Sequence, residues 1–196
     1  VFRDTGWYHI VIAFDTTQST STDRVKFYIN GTQVTSFSTS SYPSQNFQSY
    51  FNLESEHAIF GSDLFPAGYV SQVNWIDGQA LTADSFGFTD VQTNTWKPKK
   101  YIGSFTSTTS EAATLNTSFA TTPPTDSTGT TTLTTQNIST QTASTNSFGV
   151  TTSTLFSGAS QYSRVTTNLT IDISEPFTID FIAKFNQTGS SSYFCQ

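Results

Sequence analysis

GYVSQVNWIDGQALTADSFG, Gly68 to Gly87, is the stretch whose reading decides the fold. Tyr69 to Ile76 alternates as a strand. Tyr69, Ser71, Val73 and Trp75 are expected on one face, and Val70, Gln72, Asn74 and Ile76 on the other. Asp77-Gly78 ends the run as a turn, because glycine accepts positive φ without steric cost. Leu81-Thr82 then leads into a polar segment that can open a single helical turn, with the Thr82 oxygen placed to cap Asp84 or Ser85. Nothing in the stretch performs chemistry. It reads as the closing strand and rim of an antiparallel β-sandwich.

Working outward, Trp96-Lys97-Pro98-Lys99-Lys100-Tyr101 follows shortly after. Together the two runs resemble the closing segment of laminin-G-like modules of the concanavalin A-like lectin/glucanase superfamily, in the version found in structural and tail-fibre proteins of marine bacteriophages. The resemblance implies a jelly-roll β-sandwich and a virion location, with assembly in the host cytoplasm. It also implies as partners copies of the chain itself or other virion proteins.

Composition supports an all-β fold independently. Of the 196 residues, 35% are apolar, 15% aromatic and only 11% charged, and there is no Met. Ser and Thr make up about a third of the chain. Such a chain favours strands over helices. A net charge of −6 argues against a nucleic-acid partner, which needs clustered Lys and Arg. The one basic cluster, Lys97, Lys99 and Lys100, reads as a solvated strand end. No apolar run approaches the ~20 residues of a membrane helix, so membrane insertion is not expected. Cys195 stands alone and allows no intrachain disulfide. Val1-Phe2-Arg3-Asp4 and Tyr193-Phe194-Cys195 both read as strand sequence, so the chain is expected to be a piece of a longer polypeptide.

Trp7 to Asp15, WYHIVIAFD, is apolar on both faces and predicts a central strand. His9 within it is expected to be a hydrogen-bonded, half-buried residue rather than a ligand. A similar Trp-x-His strand occurs in laminin-G-like modules. Arg24 to Phe37, RVKFYINGTQVTSF, is the strongest local signal. Asn30-Gly31 between two alternating runs predicts a two-residue type I′ hairpin, with Phe27 opposite Val34 and Ile29 opposite Thr32. Ser38 to Glu56 is a long loop carrying Tyr42, Phe47, Tyr50 and Phe51, and long loops are often functional. His57–Gly61 is a short strand. Residues 1–105 therefore read as the C-terminal part of one sandwich.

Residues 106–150 change character. About half are Ser or Thr and none is Lys or Arg, which reads as a low-complexity connector, extended or disordered. Strand patterning returns from Leu155. LFSGASQYSRV and EPFTIDFIAKFN resemble the opening strands of the same module type. In the second, Phe177, Ile179, Phe181, Ala183 and Phe185 share one face and Thr178, Asp180, Ile182 and Lys184 the other. Residues 151–196 are thus expected to be the N-terminal part of a second sandwich. Two arrangements complete the halves: missing sequence on either side, which the usual order of such modules favours, or direct pairing of Phe177–Phe185 with the Trp7–Asp15 and Arg24–Phe37 sheet.

The glycosidases of this superfamily place paired carboxylates on one strand, and a retaining pair must lie ~5–5.5 Å apart. No Glu-x-Asp-x-x-Glu run exists here. Asp172 and Glu175 form the nearest pair, and Asp180 has no carboxylate two residues away. The expectation is therefore a module that is not an enzyme. Sugar rings stack on exposed aromatics and hydrogen-bond to amides, so Tyr42, Asn46, Phe47, Tyr50 and Phe51 are the candidate glycan-binding residues, for a host-surface polysaccharide. The resemblance adds a candidate rim calcium (Ca2+), held by Glu54, Glu56 and Asp63. The alternative is a purely structural virion protein without a ligand.

Overall fold

Alternating apolar runs dominate the chain, and strands dominate the structure, a computed structural model. It describes residues 6–49, 57–61, 68–103, 115–117, 133–136, 139–142, 152–156, 162–165 and 175–185. The strands are Trp7–Phe14 (β1), Val25–Ile29 (β2), Thr32–Gln33 (β3), His57–Gly61 (β4), Gly68–Asp77 (β5), Gly87–Asp90 (β6), Thr95–Pro98 (β7), Leu115–Thr117 (β8), Leu133–Gln136 (β9), Ser139–Thr142 (β10), Thr152–Phe156 (β11), Tyr162–Val165 (β12) and Phe177–Phe185 (β13). Among the described residues the only helical pieces are two single 3-10 turns, Ser21–Asp23 and Ala83–Ser85. None is long and apolar enough to cross a membrane. The fold is all-β and antiparallel. It has an eight-stranded sheet in the order β10-β11-β5-β13-β1-β2-β3, with β8 also on β5, a three-stranded sheet β4-β12-β9, and the β6-β7 hairpin. This arrangement is compatible with a β-sandwich.

The strand expected to open a separate module, β13, lies at the centre of the large sheet. It pairs with β1 along eight positions, from Trp7↔Lys184 to Phe14↔Phe177, and on its other edge with β5 from Phe177↔Asp77 to Phe185↔Gly68. Direct pairing within one chain, the less favoured arrangement from sequence, is therefore the one observed. The physical reason lies in β13 itself. Seven of its nine residues are buried, on both faces, so it needs a partner on each edge and cover on each side, and the gap between β1 and β5 supplies both edges. The Ser/Thr-rich connector contributes paired strands rather than only a tether. β8 pairs with β5, β10 with β11, and β9 with β12.

Register assigns the faces. The first face of the sheet carries His9, Val11 and Ala13 of β1, Tyr28 of β2, Asp180 and Thr178 of β13, and Asn74 and Ile76 of β5. The second carries Ile10, Phe14, Phe177, Phe181, Val73 and Trp75. Phe14 stacks on Phe177 with ring centroids 4.9 Å apart. The alternation expected along Tyr69–Ile76 holds only from Gln72 onward. Opposite Ile182 and Ala183 the β5 partner jumps from Gln72 to Val70, leaving Ser71 as a bulge residue. One extra residue exchanges the faces beyond it. Tyr69 consequently lies with Asn74 and Ile76, where it meets Trp7 at 6.4 Å between rings and the Lys184 ammonium at 6.0 Å.

The first face is closed by the segment after β5. Val11, Tyr28, Ile76, Ala83, Phe86 and Tyr101 form one buried cluster, with Leu81 and Trp96 packed against it. Burying a side chain the size of Phe86, which is fully enclosed, stabilises by roughly 1.5–3 kcal/mol. Thr178 fastens the start of this segment to the sheet: its hydroxyl donates to the Gln79 carbonyl at 2.6 Å and accepts from the Leu81 N–H at 2.7 Å. Thr82 occupies the N-cap of the 3-10 turn, but its side chain makes no capping bond, contrary to expectation. The 3-10 turn closes instead through its own backbone, Ser85 N–H to the Thr82 carbonyl at 3.1 Å.

The β2-β3 hairpin is the one expected. Asn30 has φ +48 and Gly31 φ +80, Ile29 pairs with Thr32, and the Val34 N–H donates to the Phe27 carbonyl. Gly31 carries a second constraint that its turn does not explain, because a Cβ there would fall inside the Trp96 ring. Gly31→Val is therefore expected to lower stability by about 2 kcal/mol or more, from backbone strain and overpacking together, read as a shift in the denaturant midpoint. In the β6-β7 hairpin, Lys97 forms a hydrogen-bonded ion pair with Asp90, and Gln92 N–H donates to the same carboxylate at 2.9 Å. The Lys97 hydrogen bond, aided by Gln92, holds the Asp90 pKa down at about 2. A depressed carboxylate value means that the stabilisation is present at neutral pH and is lost as pH falls toward 2. An NMR titration of the Asp90 carboxyl is expected to show a midpoint near 2 that rises toward the ordinary aspartate range in Lys97→Met.

Candidate functional site

Two polar constellations stand out, one buried and one at the rim. The buried one lies on the first face. His9 Nε2 is 2.5 Å from Asp180 Oδ1, an oxygen with no other hydrogen-bond partner, and Asn74 Nδ2 donates to Asp180 Oδ2 at 2.7 Å. Trp96 Nε1 donates to His9 Nδ1 at 2.9 Å, and the two rings stack with centroids 5.9 Å apart. An indole N–H can only donate, so Nδ1 is the bare nitrogen and the ring proton sits on Nε2, facing Asp180. The main chain joins in: His9 N–H donates to Asn30 Oδ1 at 2.9 Å, and Asn30 N–H to the His9 carbonyl at 2.8 Å.

His9 is 1% exposed, Asp180 2% and Asn74 0%. His9 is thus hydrogen-bonded as expected but buried completely rather than by half, because Trp96 lies over it. A histidine and a carboxylate closed off in this way, with the imidazole neutral and both nitrogens engaged, can hold strands in register. They have no open side from which to act on a substrate.

The rim constellation joins the loop between β1 and β2 to the loop after β3. Arg24 is its tie. Its guanidinium donates to the Gln18 and Ser19 carbonyls at 2.8 and 2.9 Å, and to the Pro43 carbonyl of the second loop at 2.8 Å. Three further bonds cross between the loops: Thr16 Oγ1 to the Phe47 carbonyl at 3.0 Å, Asn46 N–H to the Thr16 carbonyl at 2.9 Å, and Gln45 Nε2 to the Thr17 carbonyl at 3.0 Å. Asp15 organises the first loop, accepting from Thr17 N–H, the Thr17 hydroxyl and Gln18 Nε2. Burial opposes its ionisation. The hydrogen bonds from Thr17 and Gln18, with the Lys26 charge, outweigh burial and hold the carboxyl below its usual range.

Of the residues picked from sequence, Tyr42, Asn46 and Phe47 lie on this pinned loop. Tyr42 is half-buried, Asn46 is exposed with φ +58, and Phe47 is 46% exposed. Tyr50, Phe51, Glu54, Glu56 and Asp63 lie outside the described residues. Among the described residues no group of three His, Cys, Asp or Glu side chains is placed to hold a metal ion.

The sequence reading missed a cleft of about 150 Å³ lined by Asp15, Gln18, Asp23, Lys26, Tyr28 and residues 80–82. The alternation of β2 put Lys26 and Tyr28 on one face, which was the only available signal. The chain matches no protein-family model, no curated protein and no solved structure.

Removing the central carboxylate tests the buried constellation. Asp180→Ala leaves the His9 Nε2–H and the Asn74 amide enclosed without their acceptor, and is expected to destabilise by about 3 kcal/mol or more. Asp180→Asn, which keeps an acceptor oxygen, is expected to lose less. Chemical denaturation of the two variants side by side checks the order.

Proposed function

We propose that this chain is a non-catalytic, laminin-G-like β-sandwich module of a bacteriophage virion or tail-fibre protein that recognises host-surface glycan through the Tyr42–Phe51 loop. The observation that carries the reading is Phe47. Nearly half exposed, it is presented by a loop tied to its neighbour through the backbone at Pro43, Asn46 and Phe47 and through the Gln45 side chain. A large ring held open to water on a pinned loop loses little freedom on stacking against a sugar. The adjoining amides supply polar contacts: Gln45 uses its N–H on Thr17 and keeps its carbonyl oxygen, while the Asn46 side chain is exposed. Burial of His9 and Asp180 beneath Trp96 fits a module that binds and does not cleave.

A purely structural role in virion assembly is the second reading. Val91 at 95% exposure, Ile102 at 89% and Phe88 at 49% favour it, as apolar residues of the closing segment that a neighbouring protein could cover.

A glycan array probed with the intact protein separates the two. Weak binding to a surface polysaccharide is expected, reduced roughly tenfold by Phe47→Ala. β-Glucans are expected to remain uncleaved. An empty array would favour the assembly role. Hydrolysis that disappears in Asp180→Asn or Glu175→Gln would overturn the non-catalytic reading.

A further inference from the structure

His9 has two ring nitrogens and a separate partner for each. Nε2 carries the proton and faces Asp180, and the lone pair on Nδ1 takes the Trp96 indole N–H at 2.9 Å. A second proton on the ring can go only to that lone pair. It would set N–H against N–H, since an indole nitrogen cannot accept. The Trp96 bond would be lost, and the positive edge of the indole would meet a cation, where no cation–π attraction is available. The Asp180 contact would gain, because an imidazolium beside a carboxylate forms a charge-assisted hydrogen bond. One proton therefore strengthens the centre of the sheet and unfastens what lies over it. What lies over it can move as a unit. Among the described residues the β6-β7 hairpin pairs with no strand of either larger sheet, and its ladder and its Lys97–Asp90 ion pair are internal. Among those residues the bond to His9 is also the one hydrogen bond from the side chains of this hairpin to the large sheet.

We propose that His9 is an acid-sensitive latch: a proton taken at Nδ1 releases Trp96 and lets the β6-β7 hairpin swing off the first face while the large sheet stays paired. The closed hairpin keeps that lone pair occupied and the open hairpin leaves it free, so the open form binds one proton more. Opening is favoured as pH falls and reversed as it rises, by up to about tenfold per pH unit for a single proton. The other charged and ionisable groups around the imidazole are engaged elsewhere. On β13, Lys184 stands over the Tyr69 ring. On β2, Lys26 meets Asp23, and on β7, Lys97 meets Asp90. Burial pushes the Tyr28 and Tyr101 phenols up, so both stay protonated. Asp84, Lys99 and Lys100 are exposed, and β5 brings the neutral Asn74. Of these groups Asp180 alone touches His9. Opening uncovers the His9–Asp180 pair, now closed to water, and the edge of the apolar cluster against which Trp96 packs. None of these residues lies on the Tyr42–Phe51 loop, so the latch is independent of glycan recognition.

Amide hydrogen exchange of the intact chain, followed from about pH 8 to about pH 5, the range in which imidazoles ordinarily change charge, tests this. Rates are corrected for the intrinsic effect of pH. Exchange along β6 and β7 is expected to accelerate on acidification, by about tenfold per pH unit at its steepest, while β1 and β13 keep their protection. The Asp90 carboxyl, held down at about 2, does not titrate in this range and cannot supply the change. His9→Gln offers one donor and one acceptor and takes no proton, so its hairpin exchange is expected to be independent of pH. Trp96→Phe keeps a ring over His9 without the N–H. Its hairpin is expected to exchange faster at neutral pH and to lose the pH dependence, and this variant decides the matter if His9→Gln does not fold. Hairpin exchange that ignores pH would overturn the inference, as would acceleration shared equally by β1 and β13. A pH dependence that survives in either variant would overturn it too. An empty glycan array would remove loop recognition and leave the latch untouched.

Discussion

A carboxylate buried in the middle of a β-sheet is the constraint on which the rest of this structure depends. Asp180 sits between His9 and Asn74, each on a different neighbouring strand, and all three are inaccessible to water. Placing a charge there is costly unless its oxygens are met. The imidazole N–H and the amide meet them only in the observed register. A one-residue slip of β13 would turn Asp180 to the face occupied by Ile10, Phe14 and Trp75 and bring phenylalanines to His9. The large apolar area of β13 drives it into the sheet, and Asp180 fixes where it stops.

Trp96 extends that constraint to the surface. Its N–H satisfies the one His9 nitrogen that Asp180 does not reach, and its ring lies against both Gly31 and Gly87. The segment that closes the first face is thereby locked to the β2-β3 turn and to the buried centre at once. The glycine at the turn answers two demands, positive φ and room for an indole. The polar centre, the hairpin and the closing segment form one unit, and disturbance at Asp180 should reach Trp96.

Function, on the reading proposed here, is moved away from this unit to the rim. The buried pair resembles a catalytic dyad in composition alone, because burial has removed its access to any substrate. The group the module offers to a ligand is one that the scaffold orients but does not consume: Phe47, on a loop tied by Arg24 and Thr16. A rigid sheet carrying recognition at its loops is a common division of labour in β proteins.

What the sequence determined by itself is what depends on near neighbours. Asn30-Gly31 dictated the hairpin because positive φ is a property of those two residues, and the alternation of Phe177–Phe185 dictated a strand with one apolar face because side chains alternate along any extended chain; burial of its Thr178–Asp180–Ile182 face came from the tertiary structure. The loop carrying Tyr42 and Phe47 was legible from its length and its aromatics. What only the tertiary structure decided is which edges meet. That Phe177–Phe185 fills the gap between Trp7–Phe14 and Gly68–Asp77, that Ser71 bulges and exchanges Tyr69 with Val70, that His9 finds Asp180, and that Tyr28 lines a cleft with residues 80–82 all depend on contacts between residues far apart in the chain. Strand patterning specifies that an edge and a face must be covered. It carries no information on the coverer, which is settled by the competition among all available strands for the same unpaired backbone groups.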